Sequence, residues 1–290
     1  GIFGAGTIGI AITNLIAPMI IINYGLDAVA HIYATTLIVV AAVFWFFSYT
    51  DPKHRERTQT NSHRKLADQL LPLKQMRVWR FGMYYFFVFG GFLALALWLP
   101  QYYVNTYDLD LQTASYMSLA FILPAGFIRA FGGWISDNIG ARQVNWGVFW
   151  VCIVCLFFLS YPESTISIHG INHTIIFEIG VNIYVFTLLI FVMGVAMGFG
   201  KASIYRLIHD YYPEHMGSVG GTVALFGGIG GFILPILFGL AADLTGIRTS
   251  CFMLLYGVLG GCMIWMYYAI KVDEYMERVQ EAKDNGFFDN

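Results

Sequence analysis

Eight stretches of about 20 mostly apolar residues, separated by short clusters of charge, limit this chain to one class of fold. They cover roughly residues 1–23, 29–49, 80–103, 112–135, 143–161, 179–203, 217–241 and 248–271. A stretch of that length spans the hydrocarbon core of a bilayer as a helix. Backbone groups in lipid must be satisfied within the segment or in a closed barrel, which favours helices over open strands. Composition agrees. Hydrophobic residues make up 58% and charged residues 12%, against roughly a quarter charged in soluble domains. The expectation is an all-α polytopic membrane protein. The chain starts at Gly1 inside an apolar run, with neither an initiator methionine nor a signal-peptide pattern. That start reads as the interior of a longer protein.

Charge placement sets the orientation. Segment 50–80 holds Lys53, Arg55, Arg57, Arg64, Lys65, Lys74, Arg77 and Arg80, half of the 16 Lys and Arg. Basic loops stay cytoplasmic, so this segment is placed inside and the others alternate from it. The connections near 24–28, 104–111 and 162–178 fall outside and contain no Lys or Arg. Those near 136–142 and 204–216, and the tail, fall inside and each carries one or more. Arg248, in the last external turn, is the exception.

Several motifs have a bland reading. Cys152 and Cys155 form C-x-x-C in an apolar span without His or acidic neighbours, so they read as small hydrophobes rather than a metal or redox pair. Gly4, Gly6 and Gly9 in "GIFGAGTIGIAI" match G-x-G-x-x-G. The dinucleotide motif needs a preceding strand and a later acidic residue, and here the glycines lie in an apolar helix. They read as a close-packing surface or as bare backbone open to a small substrate. A second glycine-dense stretch, "GSVGGTVALFGGIGGFILPILFG", places Gly227 and Gly231 four apart on one face, flanked by Gly228 and Gly230. Pro235 should kink or loosen that helix. In "GGWISDNIGARQ", Gly133, Asp137, Gly140 and Arg142 suggest a tight turn, with Asp137 capping the following helix and Arg142 reaching a neighbour. The spacing recurs at Gly239, Asp243, Gly246 and Arg248.

Arg129 is the costly residue. It lies eight residues before Asp137, about 12 Å above the inner helix end, near the middle of a core about 30 Å thick. A charge there faces a bundle interior or an aqueous cavity; the alternative is snorkelling to the inner interface. All 18 acidic residues fall in loops or at span ends. The expected counter-charge is therefore a bound anion or a carboxylate from another part of the protein. Planar guanidinium suits bidentate binding of a small oxyanion. Tyr85 and Phe89, four apart, share a helix face. They serve either as lipid-facing packing or as aromatic walls for a flat anion. Lys201 and Arg206 read as anchors at the inner interface, with Lys201 also able to line an inner vestibule.

With these motifs in hand, the chain resembles the NarK-type nitrate/nitrite porters of the major facilitator superfamily. "GIFGAGTIGIAITNLIAP" looks like their glycine signature in helix five, and "GGTVALFGGIGGFILPILFG" like that in helix eleven. "FGGF" at 89–92, "GFIRAFGGWISD" and "GFGKASIYRLI" fit as well. The resemblance implies a major facilitator fold with helices 5–12 of 12. Residues 1–49 would end the first half, 50–79 form the basic inter-half loop, 80–272 the six-helix second half and 273–290 a cytoplasmic tail. It implies nitrate or nitrite held between two arginines, with Arg129 as the arginine of the second half and Tyr85 and Phe89 stacking on the anion. The first-half arginine would lie in a helix preceding this chain. Gly6, Thr7, Gly9, Gly227, Gly228, Gly230 and Gly231 would line the path, with Thr7 standing where the family usually has Asn. Gly133, Asp137, Gly140, Arg142 and Pro235 would serve gating. The function implied is alternating-access transport in the cell membrane by a monomer, with or without a coupled proton. A transporter of another small anion and a non-transporting sensor or scaffold are the rivals. No catalytic constellation points to an enzyme. No cofactor, metal or nucleic-acid partner is expected.

Overall fold

A computed structural model of the chain describes residues 2–48, 71–169 and 174–284. Most of the basic loop, residues 49–70, lies outside the described residues. The apolar runs form helices, since only intrahelical hydrogen bonding lets so many apolar residues carry their backbone into lipid. They are α1 (Ile2–Tyr24), α2 (Leu26–Phe47), α3 (Met76–Tyr85), α4 (Phe92–Tyr107), α5 (Leu111–Ile139), α6 (Ala141–Leu159), α7 (Ile183–Tyr211), α8 (Met216–Thr245) and α9 (Ser250–Asp284). A π-helical segment, Phe86–Gly91, joins α3 to α4 so that Met76–Tyr107 forms one span. Among the described residues seven helices are long and apolar enough to cross a membrane, and α1 adds a shorter apolar stretch, Gly9–Tyr24.

The observed helices run past several expected ends, because polar residues continue the helical turn beyond the lipid. Helix α5 extends to Ile139 and α9 to Asp284. Asp137 therefore lies inside α5 and does not cap the next helix; α6 starts at Gly140 without a side-chain cap. Gly133 is likewise helical rather than part of a turn. The turn rests on Gly140 alone, at φ +102°, a region closed to most L-residues. Its counterpart Gly246 ends α8 at φ +66°. Helices α5 and α7 begin on side-chain caps: Asp110 accepts from the Thr113 N–H and Asn182 from the Tyr184 N–H. Helix α8 runs unbroken through Pro235. The connection between α6 and α7 holds an antiparallel hairpin, β1 (Ser164–His169) and β2 (Thr174–Ile179), that hydropathy did not indicate.

Two glycine seams organise the bundle. At the first, α7 lies against α5. A Cβ at Gly198 would meet the Ala125 backbone at 2.9 Å, and one at Gly132 would meet the Ala202 Cβ at 2.9 Å. At the second, α8 lies against the π segment, where a Cβ at Gly90 would sit 2.7 Å from the Gly230 Cα. Small residues let helices approach this closely. Aromatic rings fill the centre, with Phe87, Phe92, Phe121, Phe149 and Phe186 buried. Outward faces stay apolar, as at Phe157, Phe232 and Leu240. Helix α2 packs on α1 and buries none of its residues.

Candidate functional site

The Gly198–Ala125 and Ala202–Gly132 contacts fix how α5 and α7 slide along each other, and so fix what stands between them. Arg129 lies eighteen residues beyond the start of a 29-residue helix, α5. Lys201 lies eighteen residues beyond the start of the equally long α7. The two cations thus share one depth in the bundle.

Arg129 is partly buried, and its Nη2 donates to the Tyr85 hydroxyl at 3.4 Å. Tyr85 stacks on Phe89, with ring centroids 5.0 Å apart and planes 10° off parallel. Tyr205 meets Tyr85 edge-on at 5.3 Å. The ring pair leans on Gly227: a Cβ there would fall 2.6 Å from Tyr85 Cδ1 and 2.7 Å from Phe89 Cδ1. Glycine at 227 is therefore a condition of the ring positions. The structure gathers Arg129, Tyr85, Phe89 and Gly227 from three helices and the π segment. Inserted π turns are frequent at functional sites.

The other expected site residues have different surroundings. Gly230 and Gly231 face the π segment and Leu93, with added Cβ atoms at 2.9 Å from Phe86 O and from Leu93 Cδ1. Gly228 faces open space. Gly6 and Gly9 also meet nothing within 4 Å. Helix α1 buries Ala11 and Pro18, seven apart on one face, while Gly6 and Gly9 lie roughly 140–200° around from it. Thr7 belongs to the same helix.

Lys201 is the clearest correction. It is wholly buried, not an interface anchor. Its Nζ sits 3.3 Å from the centroid of the Phe92 ring and has no hydrogen-bond partner among the described residues. The sequence carries a partial signal in Gly194-x-x-x-Gly198 just before the lysine. That spacing marks a close helix seam but not which neighbour covers the lysine.

A second polar cluster lies beyond Ile139. Arg142 pairs with Asp273 at 2.6 Å and bonds the Tyr211 hydroxyl. Arg77 reaches Asp273 at 3.7 Å and lies over the Tyr211 ring at 4.3 Å. Arg206 bridges Asp137 and Asp210 at 3.1 and 3.2 Å. These contacts tie α3, α5, α6, α7 and α9 together at one end. A cavity of about 340 Å³ at the opposite end, lined by residues including Tyr102, Glu163 and Arg248, contains none of the Arg129 group. The four cysteines are buried free thiols.

A bundle of membrane-length helices with a charged, aromatic-lined interior is the build of a multi-pass membrane protein. Residues 1–184 match the family description of the Major Facilitator Superfamily, and the chain belongs to that superfamily. It is 35% identical over 93% of its length to the probable nitrate/nitrite antiporter NarK1 of Thermus thermophilus, covering 63% of that protein. It is 26% identical over 97% of its length to the nitrite extrusion protein of Bacillus subtilis, covering 66%. With the probable nitrate transporter NarT of Staphylococcus haemolyticus it shares 28% over 89%, covering 62%. The chain therefore spans about two thirds of the length of these curated relatives. Among solved structures it resembles the major facilitator FucP in its outward conformation, at TM-score 0.55 and 14% identity over 82% of this chain and 53% of that one. That likeness concerns the fold alone.

Proposed function

We propose that this chain forms part of a transporter that moves nitrate, nitrite or both across the cell membrane by alternating access. The observation that carries the reading is the Arg129 guanidinium at mid-helix depth, held at the hydroxyl of a Tyr85 that stacks on Phe89. A planar cation beside planar rings suits a flat, singly charged oxyanion. The guanidinium fork supplies paired donors, and the ring faces restrict the plane in which the anion lies. Gly227 keeps that wall in place. The names of the relatives support the same substrate class.

On this reading the spans from Met76 onward form the second half of the transporter, and α1 and α2 belong to the first. The polar cluster around Arg142 and Asp273 faces the cytoplasm, as do both ends of the chain, and the protein works as a monomer. The glycine seam between α8 and the π segment is where the second half bends as the cavity changes sides. Smooth, side-chain-free surfaces slide with little steric resistance.

Nitrate exchange in proteoliposomes holding the full-length protein tests this. Arg129→Ala should abolish exchange. Arg129→Lys, which keeps the charge but not the planar fork, should weaken nitrate binding by about 10- to 100-fold, the worth of a charge-assisted hydrogen bond. Unchanged exchange in both variants would falsify the assignment. A transporter of another small anion is the second reading, since a guanidinium fork serves many oxyanions. Competition decides it: nitrite should displace nitrate, whereas sulfate and phosphate should not.

A further inference from the structure

We propose that Lys201 carries a proton together with the anion, neutral while the site is empty and an ammonium while the anion sits on Arg129. The inference rests on the anion-transport reading and adds to it the identity of the proton carrier.

The argument starts from what surrounds Nζ. The side chain is wholly buried and its nitrogen lacks a hydrogen-bond partner among the described residues. A permanent charge in that position is costly, because neither water nor a carboxylate compensates it. The face of Phe92 at 3.3 Å gives an ammonium some attraction. The Phe92 ring is itself held by stacking on Phe121 at 4.9 Å.

Among the described residues no carboxylate pairs with the Lys201 nitrogen. Helix α5 contributes Arg129, whose charge acts on Lys201 electrostatically and repels it. Helix α4 contributes the Phe92 ring, and α3 contributes Tyr85, which accepts from Arg129. Helix α6 contributes Val148, against Gly200, and Asn145, bonded by Ser203. Helix α8 presents Gly220 to Tyr205, one turn beyond Lys201 on α7, and Arg206 follows Tyr205. Two cations at one depth are thus tolerated together only when an anion joins them.

Coupling follows from this arrangement. An empty site holds one charge, on Arg129, and Lys201 is a neutral amine. An arriving anion cancels the guanidinium's field, and the amine takes one proton from water on the side to which the site is open. The Nζ–H bond formed there breaks when the anion leaves on the other side, and the proton returns to water. One anion and one proton cross, and the resting amine is regenerated. Binding linkage is reciprocal, so a proton on Lys201 must also tighten the anion.

The test begins with the parent protein. Purified full-length protein in weakly buffered detergent is mixed with sodium nitrate while the pH is recorded. Uptake of about one proton per bound nitrate is expected. In proteoliposomes with an internal pH dye, nitrate entry should acidify the lumen. Lys201→Met, close in volume and unable to titrate, should still bind nitrate, more weakly than the parent and with a flat pH profile, and should lose proton movement. Lys201→Arg, which holds its charge, should also lose proton movement and covers the case in which the methionine variant does not fold. Nitrate binding or exchange by the parent without proton uptake overturns the role of Lys201 and leaves the anion site standing. The same holds if either variant still moves protons with nitrate. A parent that neither binds nor exchanges nitrate overturns both readings.

Discussion

At the residue scale, the proposed anion site depends on one hydroxyl and one missing side chain. The Tyr85 hydroxyl holds the Arg129 fork from one side, and the absent Cβ of Gly227 leaves room for the Tyr85 and Phe89 rings. Tyr85→Phe keeps the ring stack and removes the hydroxyl. The bond is long at 3.4 Å, so its loss should cost about 1 kcal/mol, read as roughly a fivefold weaker nitrate affinity by calorimetry with little change in melting temperature. An unchanged affinity would mean that the hydroxyl does not position the guanidinium. Arg129 itself was legible in the sequence, because a charge in the middle of a membrane-length apolar run has few explanations. Tyr85 and Phe89 were legible as a pair by their spacing of four. Lys201 was misread, because nearness to the end of an apolar run resembles an interface anchor. Its burial depends on the neighbour that the Gly194 and Gly198 seam admits.

At the element scale, the two glycine stretches have different fates. Gly227 and Gly230 of α8 press against the π segment, whereas Gly6 and Gly9 of α1 face open space. Composition treats these stretches alike, and only the partner on each face separates them. The contrast between a seam glycine and an open one can be measured. Gly90→Ala sets a Cβ against the Gly230 backbone at 2.7 Å, where no side chain can move aside. It should destabilise the protein by about 1–3 kcal/mol, the usual cost of overpacking. Gly228→Ala meets nothing and should be neutral or stabilising by about 0.5–1 kcal/mol, since alanine is the better helix former. Thermal unfolding in one detergent compares them; equal melting temperatures would remove the seam from the account. Asp137 shows the limit of motif reading. Its spacing suggested a cap, but α5 continues through it and the carboxylate pairs with Arg206 on another helix.

At the scale of the whole molecule, the ion pairs beyond Ile139 join helices far apart in sequence. Asp273 on α9 holds Arg142 and Arg77 at once. The carboxylate is about 20% exposed and the arginines about 35%, so solvent weakens but does not erase the attraction. Asp273→Asn should lower stability by about 1 kcal/mol in low salt. The difference should shrink in 1 M salt, where the screening length falls to about 3 Å. A loss of stability that ignores salt would point to packing rather than charge. Hydrophobic run length and the rarity of charge determined, from the sequence by itself, that this chain crosses a membrane repeatedly as helices and that Arg129 stands apart within them. Both are local properties, since lipid rewards a helix and penalises a charge whatever the distant residues do. Which glycines close a seam, that Asp137 pairs instead of capping, and that Lys201 lies buried at the depth of Arg129 were decided only by tertiary structure. Each depends on the face another helix presents, and no stretch of sequence states its neighbour.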